Sequence, residues 1–113
     1  MITIYHNPRC SKSREGFSLL ENSGKDFEVI KYMDELISEE KLKNILSLLG
    51  VNPIDLVRKG EAIWKSDYKG KTLTDSQLIK AMVKHPKLIE RPIVINGKQA
   101  VIGRPPTNIL EII

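Results

Sequence analysis

The run His6-Asn7-Pro8-Arg9-Cys10-Ser11-Lys12-Ser13-Arg14 contains the only cysteine of the chain. A structural cysteine sits among apolar side chains and is inert, but Cys10 is surrounded by cations and hydroxyls. The thiolate, not the thiol, is the nucleophile. An ordinary cysteine of pKa ~8.5 is only a few per cent ionised at neutral pH, whereas a helix N-terminus and nearby cations bring the value down to ~3.5–7.5. Cys10 follows a strand and a turn and opens a helix, so unpaired backbone N–H groups should point at its sulfur. Those N–H groups also attract oxyanions. Thiolate and anion pocket would then coincide, which suits attack on an oxyanion. The plain alternative is a partly buried thiol with no role. His6 is either a group that tunes the thiol or simply a turn residue. One chemistry is excluded by spacing: a phosphatase-type loop needs an arginine six positions after the cysteine, and that position is Gly16.

The rest of the composition narrows the partners. At 113 residues the chain is long enough for one hydrophobic core. A net charge of +4 and a pI of about 9.2 favour anionic partners. Aromatic residues are only 5% and the basic residues are dispersed, which argues against nucleic acid. No apolar run is long enough to span a bilayer, and the N-terminus has neither the basic nor the apolar region of a signal peptide. The expected location is therefore the cytoplasm, where a lone thiol stays reduced. One cysteine and two histidines make a structural metal site improbable, and none is expected.

Three groups of elements must position the thiol. Ile2 and Ile4 alternate with Thr3 and Tyr5 in a short strand, a helix runs from Cys10 or Ser11 to Ser23-Gly24, and Phe27–Ile30 forms a second strand. This is a βαβ unit with a right-handed crossover. A helical block follows. Ser38 caps a helix whose stripe is Leu42, Ile45, Leu46 and Leu49, and Gly50 ends it. Asn52-Pro53 starts a short helix, and Thr74-Asp75-Ser76-Gln77 is a capping box that opens another, closed by His85-Pro86. Loops are expected around Lys59–Gly60 and Tyr68–Lys71. Strands return as Ile93–Ile95 and Gln99–Ile102 around Asn96-Gly97, a strong hairpin signal. Gly103-Arg104-Pro105-Pro106 breaks the pattern before one or two last helical turns. The fold class is therefore α/β: a thioredoxin-like mixed four-stranded sheet with a helical insertion between its βαβ and ββα halves. It reads as a single domain, 1–113, with the sheet portion at about 1–33 and 87–113 and the insertion at about 34–86.

Four ordered blocks carry a family resemblance. "HNPRCSKSR", "LVRK" around Arg58, "ERPIVI" around Arg91 and "GRPP" around Arg104 resemble the glutaredoxin-coupled arsenate reductases over essentially the whole chain. That resemblance implies a thioredoxin-like fold with a cis bond at Arg91–Pro92, a Cys10 that attacks arsenate, and three arginines, Arg58, Arg91 and Arg104, that hold the oxyanion and its adduct. It also makes His6 and Ser13 catalytic candidates, with the Ser13 hydroxyl donating to the thiolate. The implied cycle passes through a Cys10–arsenate adduct to arsenite. No cofactor is bound, glutathione is the co-substrate and glutaredoxin the partner. The arginines make physical sense, since a planar guanidinium matches a tetrahedral oxyanion with paired N–H bonds. Arg91 and Arg104 flank the hairpin, near one end of the sheet.

Two other functions remain open. The same fold occurs in Spx-type transcription regulators that bind RNA polymerase, but their switch resembles C-x-x-C, and the second position here is Ser13. An oxidoreductase acting on another glutathione-linked substrate would also fit. Arg9, Ser11 and Lys12 depart from the family pattern by adding bulk and charge around Cys10.

Overall fold

The computed structural model describes residues 1–113. The chain forms two compact units, Met1–Glu35 with Arg91–Ile113, and Leu36–Glu90. No helix is long and apolar enough to cross a membrane.

The first unit contains β1 (Ile2–Tyr5), α1 (Ser11–Ser23), β2 (Phe27–Ile30), β3 (Ile93–Asn96), β4 (Gln99–Ile102) and a closing 3₁₀ turn at Pro106–Glu111. The sheet order is β2-β1-β3-β4. β1 and β2 are parallel, with Ile2 opposite Phe27, while β3 runs antiparallel to both β1 and β4. This is the expected thioredoxin-like mixed sheet. Period-two alternation puts Ile2 and Ile4 on one face of β1. There they form a core with Leu20 of α1, Val94 of β3 and Ile109, and Phe17, Phe27 and Val29 pack around it. α1 stops at Gly24, whose φ of 73° is the left-handed conformation that glycine adopts without steric cost.

The hairpin differs from its sequence signal by one residue. Asn96 is still paired, opposite Gln99, so the two-residue loop is Gly97-Lys98 with Gly97 at φ 63°. Glycine at the first central position is the pattern of a type II′ turn. Asn96 stays in the strand because its side-chain amide donates to the Ile112 carbonyl at 2.6 Å. The Arg91–Pro92 bond is cis, as the resemblance implies, and so is Arg104–Pro105.

The second unit contains α2 (Glu39–Leu49), a 3₁₀ turn at Pro53–Leu56, α3 (Ala62–Asp67), α4 (Asp75–Lys84) and a 3₁₀ turn at Pro86–Leu88. Ser38 caps α2 by accepting from the Lys41 N–H. The α4 capping box is complete, with Gln77 N–H donating to Thr74 Oγ1 at 3.2 Å and Thr74 N–H to Gln77 Oε1 at 2.8 Å. α4 packs against α2 and both 3₁₀ turns, burying Leu42, Ile45, Leu46, Leu78, Ile79 and Met82. Residues 87–90 fall with this unit, beyond the boundary read from the sequence. The reason is backbone pairing: Arg58 N–H donates to Leu88 O at 2.7 Å, Glu90 N–H donates to Leu56 O at 2.8 Å, and Val57 bridges Ile89.

These assignments make stability claims of different size. Leu20 is fully buried, so Leu20→Ala should cost ~2–5 kcal/mol in chemical denaturation, because the core cannot collapse fully onto the space left. Thr74→Ala removes one cap and should cost only about 1 kcal/mol. Equal costs for the two would contradict the assignment of Leu20 to the core.

Candidate active site

Cys10 is the N-cap of α1, in extended conformation at φ −96° and ψ 124°. The turn before it is built by Asn7. Asn7 O accepts from Cys10 N–H at 3.0 Å, Asn7 Oδ1 accepts from Arg9 N–H at 3.1 Å, and Asn7 N–H donates to Ser13 Oγ at 2.9 Å. A single buried asparagine thus ties both sides of the thiol to the first turn of the helix. The sequence marks Asn7 only as a residue that favours turns before proline. Its three-way role depends on where Ser13 lands.

The thiol is half-buried. Burial alone would push its pKa up. Donors outweigh that effect: the Ser13 backbone N–H first, then the Arg91 guanidinium, the Lys12 backbone N–H and the Arg104 guanidinium, and together they bring the value down to about 7. Arg104 Nη2 lies 3.7 Å from Sγ, and Arg104 Nε donates to the Arg91 carbonyl at 2.9 Å. Arg91 is itself buried. Helix start and arginine pair therefore converge on one sulfur, with Arg104 standing 94 residues from Cys10 along the chain.

Ser13 is placed differently from its expected role. Its hydroxyl is fully buried and committed elsewhere, 2.7 Å from His6 Nδ1 and accepting from Asn7 N–H. The Ser13 group that serves the thiolate is its backbone amide, because the third residue of a helix has a free N–H directed at the N-cap. His6 pairs with Ser13 and is not among the groups that lower the thiol pKa. Its ring stacks on Phe17 with centroids 5.2 Å apart. Burial, and then the Lys31 and Arg14 cations, lower its pKa, against an opposing hydrogen bond with Ser13. The ring is therefore neutral at pH 7.

The remaining charges separate by partner. Arg14 donates to the Pro8 carbonyl at 2.9 Å, which braces the turn from outside. Lys12 pairs with Glu15 at 3.4 Å on the exposed face of α1. Arg58 belongs to the helical unit. Its Nε lies 3.4 Å from Glu61 and its Nη1 3.8 Å from Glu90, so two carboxylates fix the guanidinium. Chemically, the Cys10 site combines an ionisable nucleophile, free helix N–H groups and two cations, which is what attack on a tetrahedral anion requires.

Comparison with known proteins agrees with this geometry. The model of the ArsC family matches residues 5–112. The chain is 44% identical to the YfgD protein of Escherichia coli K12, over 99% of this chain and 96% of that one. It is 43% identical to an arsenate reductase of Haemophilus influenzae, over 99% and 98% of the two chains. Among solved structures, an arsenate reductase from Vibrio cholerae superposes with a TM-score of 0.94 at 48% identity, covering 99% of this chain and 97% of the other. A matching family model over nearly the full length, together with relatives of this similarity, shows that the chain belongs to the ArsC family.

Proposed function

We propose that this protein reduces arsenate to arsenite, with Cys10 as the nucleophile. The observation that carries the reading is a thiol of pKa about 7 at the start of α1, with Arg91 and Arg104 directed at the same sulfur. The arsenate reductases among its relatives support the choice of oxyanion.

In the first step the Cys10 thiolate forms an S–As bond and an arsenate oxygen leaves as water, taking protons from solvent. Arsenic is still pentavalent in this adduct. Arg91 and Arg104 offset the negative charge gathered at one place, and Arg58 is the third arginine of the proposed clamp. The electrons come from outside, because the chain has no second cysteine. A glutathione thiol then displaces a second arsenic oxygen as water and forms its own S–As bond. A glutaredoxin thiolate attacks the glutathione sulfur, so that this S–As bond breaks with its electron pair left on arsenic and an S–S bond forms. Two thiols become one disulfide, arsenic gains two electrons, and water opens the remaining S–As bond, releasing arsenite and returning Cys10 as a thiol. No bound cofactor is needed. The cytoplasm, which keeps thiols reduced, is the compartment that fits. Against a C-x-x-C switch, position 13 holds a buried hydroxyl rather than a thiol.

The deciding assay is arsenate-dependent NADPH oxidation in the presence of glutathione, glutaredoxin and glutathione reductase. Cys10→Ser should abolish it. No arsenate-dependent rate in the unaltered protein would sink the assignment.

The pH dependence has a definite sign. Because the folded thiol has a pKa of about 7, lowered from 9.0, alkylation of Cys10 should rise with pH through neutrality and flatten by about one unit above it. An inflection near that of free cysteine would remove the activated thiolate. Phosphate or sulfate should slow the alkylation if it occupies the arsenate position.

Arg→Lys keeps the charge but loses the planar fork. At Arg58, Arg91 or Arg104 it should lower arsenate kcat/KM by roughly ten- to a hundredfold, the kinetic equivalent of one charge-assisted hydrogen bond of ~1.5–3 kcal/mol. Arg9→Lys and Arg14→Lys serve as neighbours outside the clamp. Unchanged kinetics at all three clamp positions would leave Cys10 without its oxyanion site.

A further inference from the structure

From the sequence, Gly103 reads only as a break between a strand and two prolines. In the fold it is buried, and three features converge on it. Its N–H donates to the Pro92 carbonyl at 2.7 Å. The next residue turns back sharply, with Arg104 N–H bonded to Ile102 O at 2.8 Å, a three-residue turn centred on Gly103. A Cβ built on Gly103 would lie 2.8 Å from Pro92 Cγ and 3.2 Å from Ile109 Cδ1. The first of these distances is shorter than side-chain carbons tolerate, so only glycine lets the Pro92 ring sit this close to the backbone.

The same two segments carry the arginines of the thiol site. Arg91 immediately precedes Pro92, and Arg104 immediately follows Gly103. A second hydrogen bond, Arg104 Nε to Arg91 O at 2.9 Å, ties them together beside the first. The separation of the segments is therefore fixed at Gly103, and both guanidiniums reach the sulfur from them.

We propose that Gly103 is a positioning residue: it sets the distance between the Arg91–Pro92 and Gly103–Arg104 segments at which both guanidiniums reach Cys10. A methyl group at 103 pushes the Pro92 ring away, lengthens the two backbone-directed hydrogen bonds and draws the arginines off the thiolate. The inference rests on Cys10 being the reactive group but not on the identity of the anion.

Gly16 supplies the comparison. A Cβ there would crowd the same ring, 2.8 Å from Pro92 Cγ and 2.9 Å from Ile109 Cδ1. Gly16 lies on α1, however, and takes no part in the Gly103 turn or in the two hydrogen bonds. Alanine at 16 thus crowds the same ring from α1, away from the Gly103 turn and the backbone that carries Arg104.

The experiment is the pH profile of Cys10 alkylation by iodoacetamide in Gly103→Ala and Gly16→Ala, each first verified as folded by circular dichroism and denaturation. Gly103→Ala should raise the inflection by about one unit, which lowers the alkylation rate at mildly acid pH roughly tenfold. Gly16→Ala should lose stability yet keep its inflection near about 7, the value of the unaltered protein. A folded Gly103→Ala with an unmoved inflection overturns the proposal, as does an equal shift in Gly16→Ala. If Gly103→Ala does not fold, the same titration is made on Gly103→Ala/Ile109→Val, which removes Cδ1 and with it one of the two close contacts. There, too, a raised inflection supports the proposal and an unmoved one overturns it. Failure of arsenate turnover in the unaltered protein would defeat the substrate assignment and leave this titration as it stands.

Discussion

An anionic sulfur half-withdrawn from water is unfavourable unless donors meet it, and that constraint organises the sheet unit of this protein. Burial raises the Cys10 pKa, yet the net effect is a value of about 7. The difference comes from two backbone amides and two guanidiniums, none of which would reach the sulfur in an extended chain. The amides are there because α1 begins at Ser11. That start is fixed by Asn7 and Ser13, which bond across the turn. The guanidiniums are there because β3 pairs with both β1 and β4, bringing Arg91 and Arg104 to the thiol.

The polar cluster behind the helix start follows the same logic. His6, Asn7 and Ser13 are buried polar side chains, and each would be costly if unpaired. They are met locally instead: Asn7 Oδ1 accepts from Arg9 N–H, Ser13 Oγ accepts from the Asn7 backbone N–H, and Ser13 Oγ also meets a neutral imidazole. His6 keeps its ring uncharged because burial and two nearby cations disfavour the imidazolium. The cluster thus holds the helix start rigid while its own side chains stay off the sulfur.

The fold was legible in the sequence wherever a local pattern had one physical solution. Alternation at Ile2 and Ile4, the glycine stop at Gly24 and the box at Thr74-Gln77 each specify an element without outside help. Cys10, Arg91 and Arg104 were legible through the motifs around them. Roles that depend on tertiary placement were not. The sequence places helix N–H groups at the sulfur in general but singles out Ser13 for its hydroxyl; that its amide leads those donors while its hydroxyl faces His6 depends on tertiary placement. Asn96 was read as a loop residue because Asn-Gly favours turns, but a contact with the Ile112 carbonyl retains it in the strand. The end of the insertion was missed because the bonds that hold residues 87–90 run back to Leu56 and Arg58, far away along the chain.

The span of 94 residues between Cys10 and Arg104 has a consequence for the protein's birth. During synthesis Cys10 leaves the ribosome early, while β3, β4 and both sheet arginines are still untranslated. At that stage the thiol lacks both guanidiniums. A helix as short as α1 is also marginal by itself in water, so the amide donors are not yet fixed either. The nascent cysteine is then an ordinary thiol, largely protonated and slow towards oxidants and electrophiles. Its nucleophilicity is switched on by the last strands to arrive, in the same event that builds the pocket around it. The molecule is thereby spared a reactive sulfur through the interval in which it has no site to contain one.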